Sequence, residues 1–211
     1  MNPDDPFILS LAGRTVDDPL DRLRRYCGLP YSGGAPETWA YRYFDLVDSD
    51  PSCVTSVDVL AAGALHSGLS RDDLDRFWDH RSDLDEWLSG LPLDIALADA
   101  PAGVVEHLTT LGLLANGAFG SSISLTSKVL HRKRPLLIPL LDREIIDWYR
   151  PVTGERRAVF AWEPLIRSLQ HDLAVNADVL AKIATQLDVE LGRRLSDVRI
   201  VDIAIWMGGQ K

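Results

Sequence analysis

Cysteine is scarce: Cys27 and Cys53 are the only two in 211 residues, far apart and without a CxxC spacing. That excludes a disulfide framework, a cysteine-based zinc site and a four-cysteine iron–sulfur cluster. The five histidines (His66, His80, His107, His131, His171) never fall in an HExxH pattern, so no metal and no cofactor is expected. No run approaches the ~18 apolar residues that a spanning helix needs, and no membrane partner is expected. The N-terminus, MNPDDPFILSLAG, is acidic where a secretory signal carries positive charge, which predicts a soluble cytoplasmic protein. P-loop, GxGxxG and GxSxG motifs are missing, which argues against the common nucleotide-binding and acyl-transfer families.

What remains is an ordinary globular composition, 46% hydrophobic, enough for a sizeable core. The length fits a single helical domain over 1–211, or two lobes at about 17–117 and 118–211. The net charge of −9 is uneven. Residues 1–100 carry 8 basic against 19 acidic side chains, whereas residues 121–157 carry 8 basic against 4 acidic. A local basic patch, not the total, decides phosphate binding.

The periodicities predict an all-α protein with at most one short N-terminal hairpin. Residues 1–16 read as irregular. Asp17 or Asp18 is placed to cap a helix that opens with Pro19, buries Leu20, Leu23 and Cys27, and stops at Gly28. Residues 29–38 read as loop, and 38–47 alternate enough for a strand but equally suit an extended aromatic segment packed on helices. Thr55 with Asp58, and Ser70 with Asp73, form capping-box spacings. The first opens a helix predicted to stop at Gly68. The second opens one long helix with Leu74, Phe77, Trp78, Leu84, Trp87 and Leu88 inward and a solvated acidic face. Another helix follows Pro101 and stops at Asn116-Gly117. Three more are predicted near Ala161–His171, after Asn176 as cap, and after Ser196 to Gly208-Gly209.

The stretch 120–151 is the richest. Ser121 or Ser122 is placed to cap a helix running to about Lys133, because Arg134 precedes Pro135. Lys128, His131 and Arg132 share one face, and with Lys133 and Arg134 they make a cationic surface suited to phosphates, or a solvated basic helix end. PLLIPLL (135–141) reads as a buried crossing between helices. Asp142 then starts the next helix, with Ile145, Ile146 and Tyr149 inward and Arg143, Asp147 and Arg150 outward. As an N-cap, Asp142 needs no further explanation. As a carboxylate delivered from a buried crossing, it also suits stabilisation of positive charge in a transition state.

This order of elements, with GSSISLT (120–126) where a hairpin would fall and Asp142 at the following helix start, resembles the core of helix-hairpin-helix DNA glycosylases over about 35 residues. The resemblance implies a compact multi-helix fold, phosphate capture by the hairpin, and an aspartate, here Asp142, that supports departure of a base. The sequence departs from that pattern: no L-P-G-x-G hairpin is present, and Ser124 stands where bifunctional members carry a lysine. Lyase activity is therefore not implied. The chain is also similar to an uncharacterised bacterial domain family with a TASK-LL-x-RKRP-x-LIP-x-x-D block and a C-terminal LS-x-x-R-x-x-D-x-x-xWM block. Here these read LTSKVLHRKRPLLIPLLD (125–142) and LSDVRIVDIAIWM (195–207).

The favoured reading is a nucleic-acid- or phosphate-ligand-binding helical protein, with DNA or a phosphate-bearing ligand as partner and Lys128, Arg132, Lys133, Arg134 and Arg143 as contacts. Two alternatives stand beside it. One is an active glycosylase-like hydrolase using Asp142, with Trp148 or Tyr149 stacking on a base. The other is a small-molecule enzyme on the same scaffold.

Overall fold

A computed structural model describes residues 7–34, 40–65, 69–116 and 122–210. It opens on a hairpin, where irregular chain is expected from the sequence. Strand β1 (Leu9–Leu11) pairs antiparallel with β2 (Arg14–Val16), with Leu9 opposite Val16. The two turn residues, Ala12 and Gly13, both have positive φ, the geometry of a tight two-residue hairpin turn. Long-range bonds hold it. The Asn176 side chain accepts from the Ser10 N–H and donates to the Ser10 carbonyl, and Asp172 accepts from Ala12 N–H at 2.7 Å. Asn176 occupies the expected N-cap position of the helix that follows it, but its side chain makes no cap bond there.

Among the described residues every other regular element is a helix, apart from an isolated bridge between Tyr31 and Gly34, so the fold is all-α with this one hairpin. Helix α1 (Pro19–Cys27) starts at its proline and closes on Gly28 at φ 74°. Asp18 occupies the N-cap position but makes no side-chain cap bond. The ambiguous 38–47 segment becomes a single turn, α2 (Tyr41–Phe44), with residues 38 and 39 outside the described residues. Both capping boxes form, opening α3 (Ser56–Gly63) and α4 (Arg71–Asp79). The first helix ends at Gly63; the predicted stop, Gly68, lies outside the described residues.

Two helices expected to be continuous are broken. His80 separates α4 from α5 (Arg81–Ser89), which turns Trp78 out to solvent while Phe77, Leu84, Trp87 and Leu88 stay buried. Thr110 separates α6 (Ala102–Thr109) from α7 (Leu111–Asn116); the predicted Gly117 stop lies outside the described residues. In the C-terminal half α8 (Ile123–His131), α9 (Arg143–Thr153), α10 (Ala158–Val175), α11 (Ala177–Leu191) and α12 (Asp197–Gly208) follow. Ser122 and Ser196 cap α8 and α12 by accepting from Leu125 N–H and Arg199 N–H. Helix α8 ends two residues short of Lys133. From Ser122 onward the segment expected as a glycosylase-like hairpin is the first turn of this helix; Gly120 and Ser121 lie outside the described residues.

Helices α10 and α12 organise the packing. Helix α10 contacts α6, α7 and α9, and α12 contacts α1, α9 and α11. Val198 to Ile205 are all buried on α12, the mark of an internal helix rather than an amphipathic surface one. Buried residues from both ends of the chain, Leu9 to Met207, belong to one apolar cluster. No helix among the described residues is long and apolar enough to cross a membrane.

Candidate functional site: a buried cage and an acidic cleft

The predicted cationic surface is not a surface. Lys128, Arg132, Lys133 and Arg134 are all buried, and so is His131. The reason is Asp58, whose side chain is fully buried at the start of α3. Its oxygens accept from Thr55 N–H, Thr55 Oγ1, Ser49 Oγ, Arg132 Nε at 3.0 Å and the Lys133 ammonium. Burial works to raise the Asp58 pKa, but the bonds from Lys133, Thr55 and Ser49 win and hold it below the usual carboxylate range.

The other bonds of the three cations go to backbone carbonyls, apart from one from the Lys133 ammonium to Ser49 Oγ at 3.0 Å. Arg132 reaches those of Phe44, Val47 and Asp48, and Lys133 reaches that of Asp50. Arg134 bonds those of Pro51, Leu88 and Leu91. The R-K-R triplet thus staples the irregular 44–51 segment and the end of α5 to α8. Their donors are spent inside the protein, so Arg132, Lys133 and Arg134 present no charge to a phosphate chain. Of the five expected contacts only Arg143 reaches solvent, beside Asp147 at 3.7 Å. Trp148 and Tyr149 are also engaged internally: the indole donates to the Leu11 carbonyl and the phenol to Asp172. Neither is presented as a base-stacking platform.

Lys128 and Asp142 have a different setting. They line a cavity of about 20 Å³ together with Arg199, Asp202, Tyr26 and Trp206. The crossing supplies Leu140 as part of its wall. The geometry follows from three helix starts and turns. Asp142 is delivered by the crossing to the N-cap of α9, where its Oδ1 accepts from Ile145 N–H at 3.0 Å. Lys128 sits on the second turn of α8, its ammonium donating to Ser124 Oγ at 3.2 Å with no carboxylate within 4 Å among the described residues. Arg199 and Asp202 lie one turn apart on the buried helix α12.

Within this cluster one cation is contested. Arg199 holds Asp45 with two bonds, Nε to Oδ1 at 2.7 Å and Nη2 to Oδ2 at 2.8 Å, and also touches the Tyr26 hydroxyl. Asp202 receives a single contact, through Oδ2. Its Oδ1 is buried without a hydrogen-bond partner, a condition shared among the described residues only by the Tyr41 hydroxyl. Burial pushes the Asp202 carboxyl up to about 7 against the opposing pull of Arg199, with Asp142 adding repulsion. Burial likewise raises Asp142, held back by the Ile145 N–H and Lys128, and lowers Lys128. These are the displacements expected where titratable groups are prepared for proton or charge chemistry.

Sequence reasoning found Asp142 and Lys128 but missed Tyr26, Arg199 and Asp202. A signal existed: Arg199 and Asp202 are two charges three residues apart inside an otherwise apolar helical run, VRIVDIAIWM. Charges placed where a buried helix is expected are costly unless paired or functional. Asp142 needs no cation and has none within 4 Å among the described residues, so three carboxyl groups (Asp45, Asp142, Asp202) face two cations.

The chain belongs to a family of unknown function (DUF6308), whose profile matches residues 19–209. The match spans the whole cleft, from Tyr26 to Trp206. No curated protein and no solved structure matches the chain.

Proposed function

We propose that the protein is a glycosylase-like hydrolase in which Asp142 stabilises the positive charge that develops at a sugar carbon as its bond to a base breaks. The observation that carries this reading is Asp142 itself: a desolvated, half-buried carboxylate with no cation within 4 Å among the described residues, lining a cleft that also holds Asp202, Lys128 and Arg199. Such a carboxylate, fixed by its own cap bond, interacts more strongly with an oxocarbenium-like centre than with a neutral ground state, which is the condition for catalysis. The cavity of about 20 Å³ admits one water-sized or reacting group, so the body of a substrate would lie outside, over the half-buried rim formed by Leu65 and Trp206. With Arg132, Lys133 and Arg134 internal, a nucleoside-sized substrate suits this rim better than a long duplex.

The test is release of free base, followed by chromatography, from a panel of nucleosides and lesion-bearing oligonucleotides. The expected result is release that Asp142→Asn lowers by about a hundredfold or more, since asparagine keeps the cap but loses the charge. No release from any member of the panel, or an unimpaired Asp142→Asn enzyme, would overturn the assignment.

A further inference from the structure

We propose that Asp202 is the second acid of this cleft, holding a proton on its unpartnered Oδ1 and giving it to the departing base. The inference rests on the hydrolase reading above and adds the group that reading lacks, a proton donor. The argument is one of saturation. Arg199 is a single cation between two buried carboxyl groups, and Asp45 takes it with both oxygens. Asp202 keeps only its Oδ2 contact, while Oδ1 is buried, unbonded and part of a residue that lines the cavity. An ionised carboxylate oxygen in that position is penalised by desolvation; a hydroxyl there is neutral and becomes a donor. The groups facing it from the other elements are Lys128 on α8, Asp142 at the start of α9, Asp45 after α2 and Tyr26 on α1. The two acids at Asp45 and Asp142 oppose ionisation of Asp202, and Arg199 and Lys128 favour it.

In the reaction, the bond between the sugar carbon and the base nitrogen breaks and its electron pair leaves with the base. The nitrogen takes the proton from Asp202 Oδ1. Water then bonds to the sugar carbon, and the proton it loses returns to the Asp202 carboxylate. Asp142 remains ionised throughout. One carboxyl protonated and one ionised around the same point is the arrangement two-carboxylate hydrolysis requires.

Two measurements separate this from the reading it rests on. The first needs no turnover: carbon-13 carboxyl NMR of aspartate-labelled protein between pH 4 and 9. A resonance titrating near neutrality is expected, absent in Asp202→Asn and moved to lower pH in Asp142→Asn. Should Asp202→Asn fail to fold, Lys128→Met is expected to move the same resonance to higher pH by removing a neighbouring cation. An Asp202 carboxyl ionised across the whole range would overturn the proposal whatever the activity. The second compares inosine, whose base leaves poorly without a proton, with 4-nitrophenyl riboside, whose leaving group needs none. Asp202→Asn is expected to lose about a hundredfold or more on inosine and under tenfold on the nitrophenyl substrate, whereas Asp142→Asn loses on both. Equal losses for Asp202→Asn on the two substrates would refute the donor role. A wild-type protein inert toward both would refute the hydrolase reading and the transfer step with it, leaving the protonation of Asp202 decided by the NMR titration.

Discussion

Two buried ionic clusters adjoin α8, one at its C-terminal end and one reached by Lys128 on its second turn, and they are built on opposite rules. Around Asp58, one carboxylate receives five donors, two of them cationic, and the other bonds of Arg132, Lys133 and Arg134 go to backbone carbonyls and the Ser49 hydroxyl. Around Asp202, carboxyl groups outnumber cations, Lys128 has no ion pair within 4 Å among the described residues, and one carboxyl oxygen has no partner. A saturated network rigidifies a fold; a deficient one is costly to fold and persists where chemistry uses it. Charge density alone does not separate the two, since the denser cluster is the structural one. Satisfaction of hydrogen-bonding capacity does.

The comparison breaks most visibly at Asp58. Asp58→Asn leaves Arg132 and Lys133 buried without their counter-charge, and a loss of about 3–5 kcal/mol in chemical denaturation is expected. The corresponding change in the cleft runs the other way. Lys128→Met removes a buried ammonium that no carboxylate neutralises, and unfolding free energy is expected to hold or rise. If Asp58→Asn proves as stable as wild type, or Lys128→Met as damaging as Asp58→Asn, the saturated and deficient clusters are not different in kind.

The contrast also has a pH signature of intermediate size, because the clusters meet at His131. Its ring is buried and bonds the Ile138 carbonyl through Nδ1 at 2.6 Å. Burial, with Arg199 adding repulsion, pushes its pKa from 6.5 down to about 4. Its contribution to stability is therefore complete above 6.5 and is lost as pH falls through 4. Asp202 has the opposite sign. With a folded pKa raised from 3.8 to about 7, its contribution is complete below the unfolded value and is lost as pH rises through 7. Denaturation midpoints between pH 4 and 8 are expected to flatten on the acid side in His131→Asn and on the neutral side in Asp202→Asn. Curves parallel to wild type would show that neither group's pKa differs between the folded and unfolded chain.

What the sequence made legible was local. The capping boxes at Thr55 and Ser70, the caps at Ser122 and Ser196, and the stop at Gly28 each depend on residues within one turn. The place of the one short hairpin was not legible, because Asn176 and Asp172, more than 150 residues away, hold it. The R-K-R triplet misled for the same reason: a dense run of charge reads as solvated until its partners are known. Asp58 and the Phe44 carbonyl lie 74 and 88 residues from Arg132. Asp142 was legible as a candidate because both of its possible roles, cap and charge stabiliser, depend on where the helix starts. Asp202 was legible only as a charge inside an apolar helical run; its significance comes from a bond it fails to make, which three-dimensional packing reveals.

The smallest effect expected is at Arg143, and it bears on the reading that the fold displaced. If the five cations of 128–143 had formed one face, DNA binding would weaken steeply with salt, by a log–log slope near −0.9 for each phosphate neutralised. With Lys128, Arg132, Lys133 and Arg134 internal, only Arg143 remains, and Asp147 shares it. A fluorescence titration of a labelled duplex across 50–300 mM salt is expected to give weak binding with a slope of about one contact or less. Arg143→Ala is expected to change it barely, because an exposed cation beside a carboxylate contributes little. A steep slope that Arg143→Ala reduces by a full contact would show that α9 meets a nucleic-acid backbone through its outer face. The cleft around Asp142 and a phosphate-binding surface would then be neighbours across the first turn of that helix.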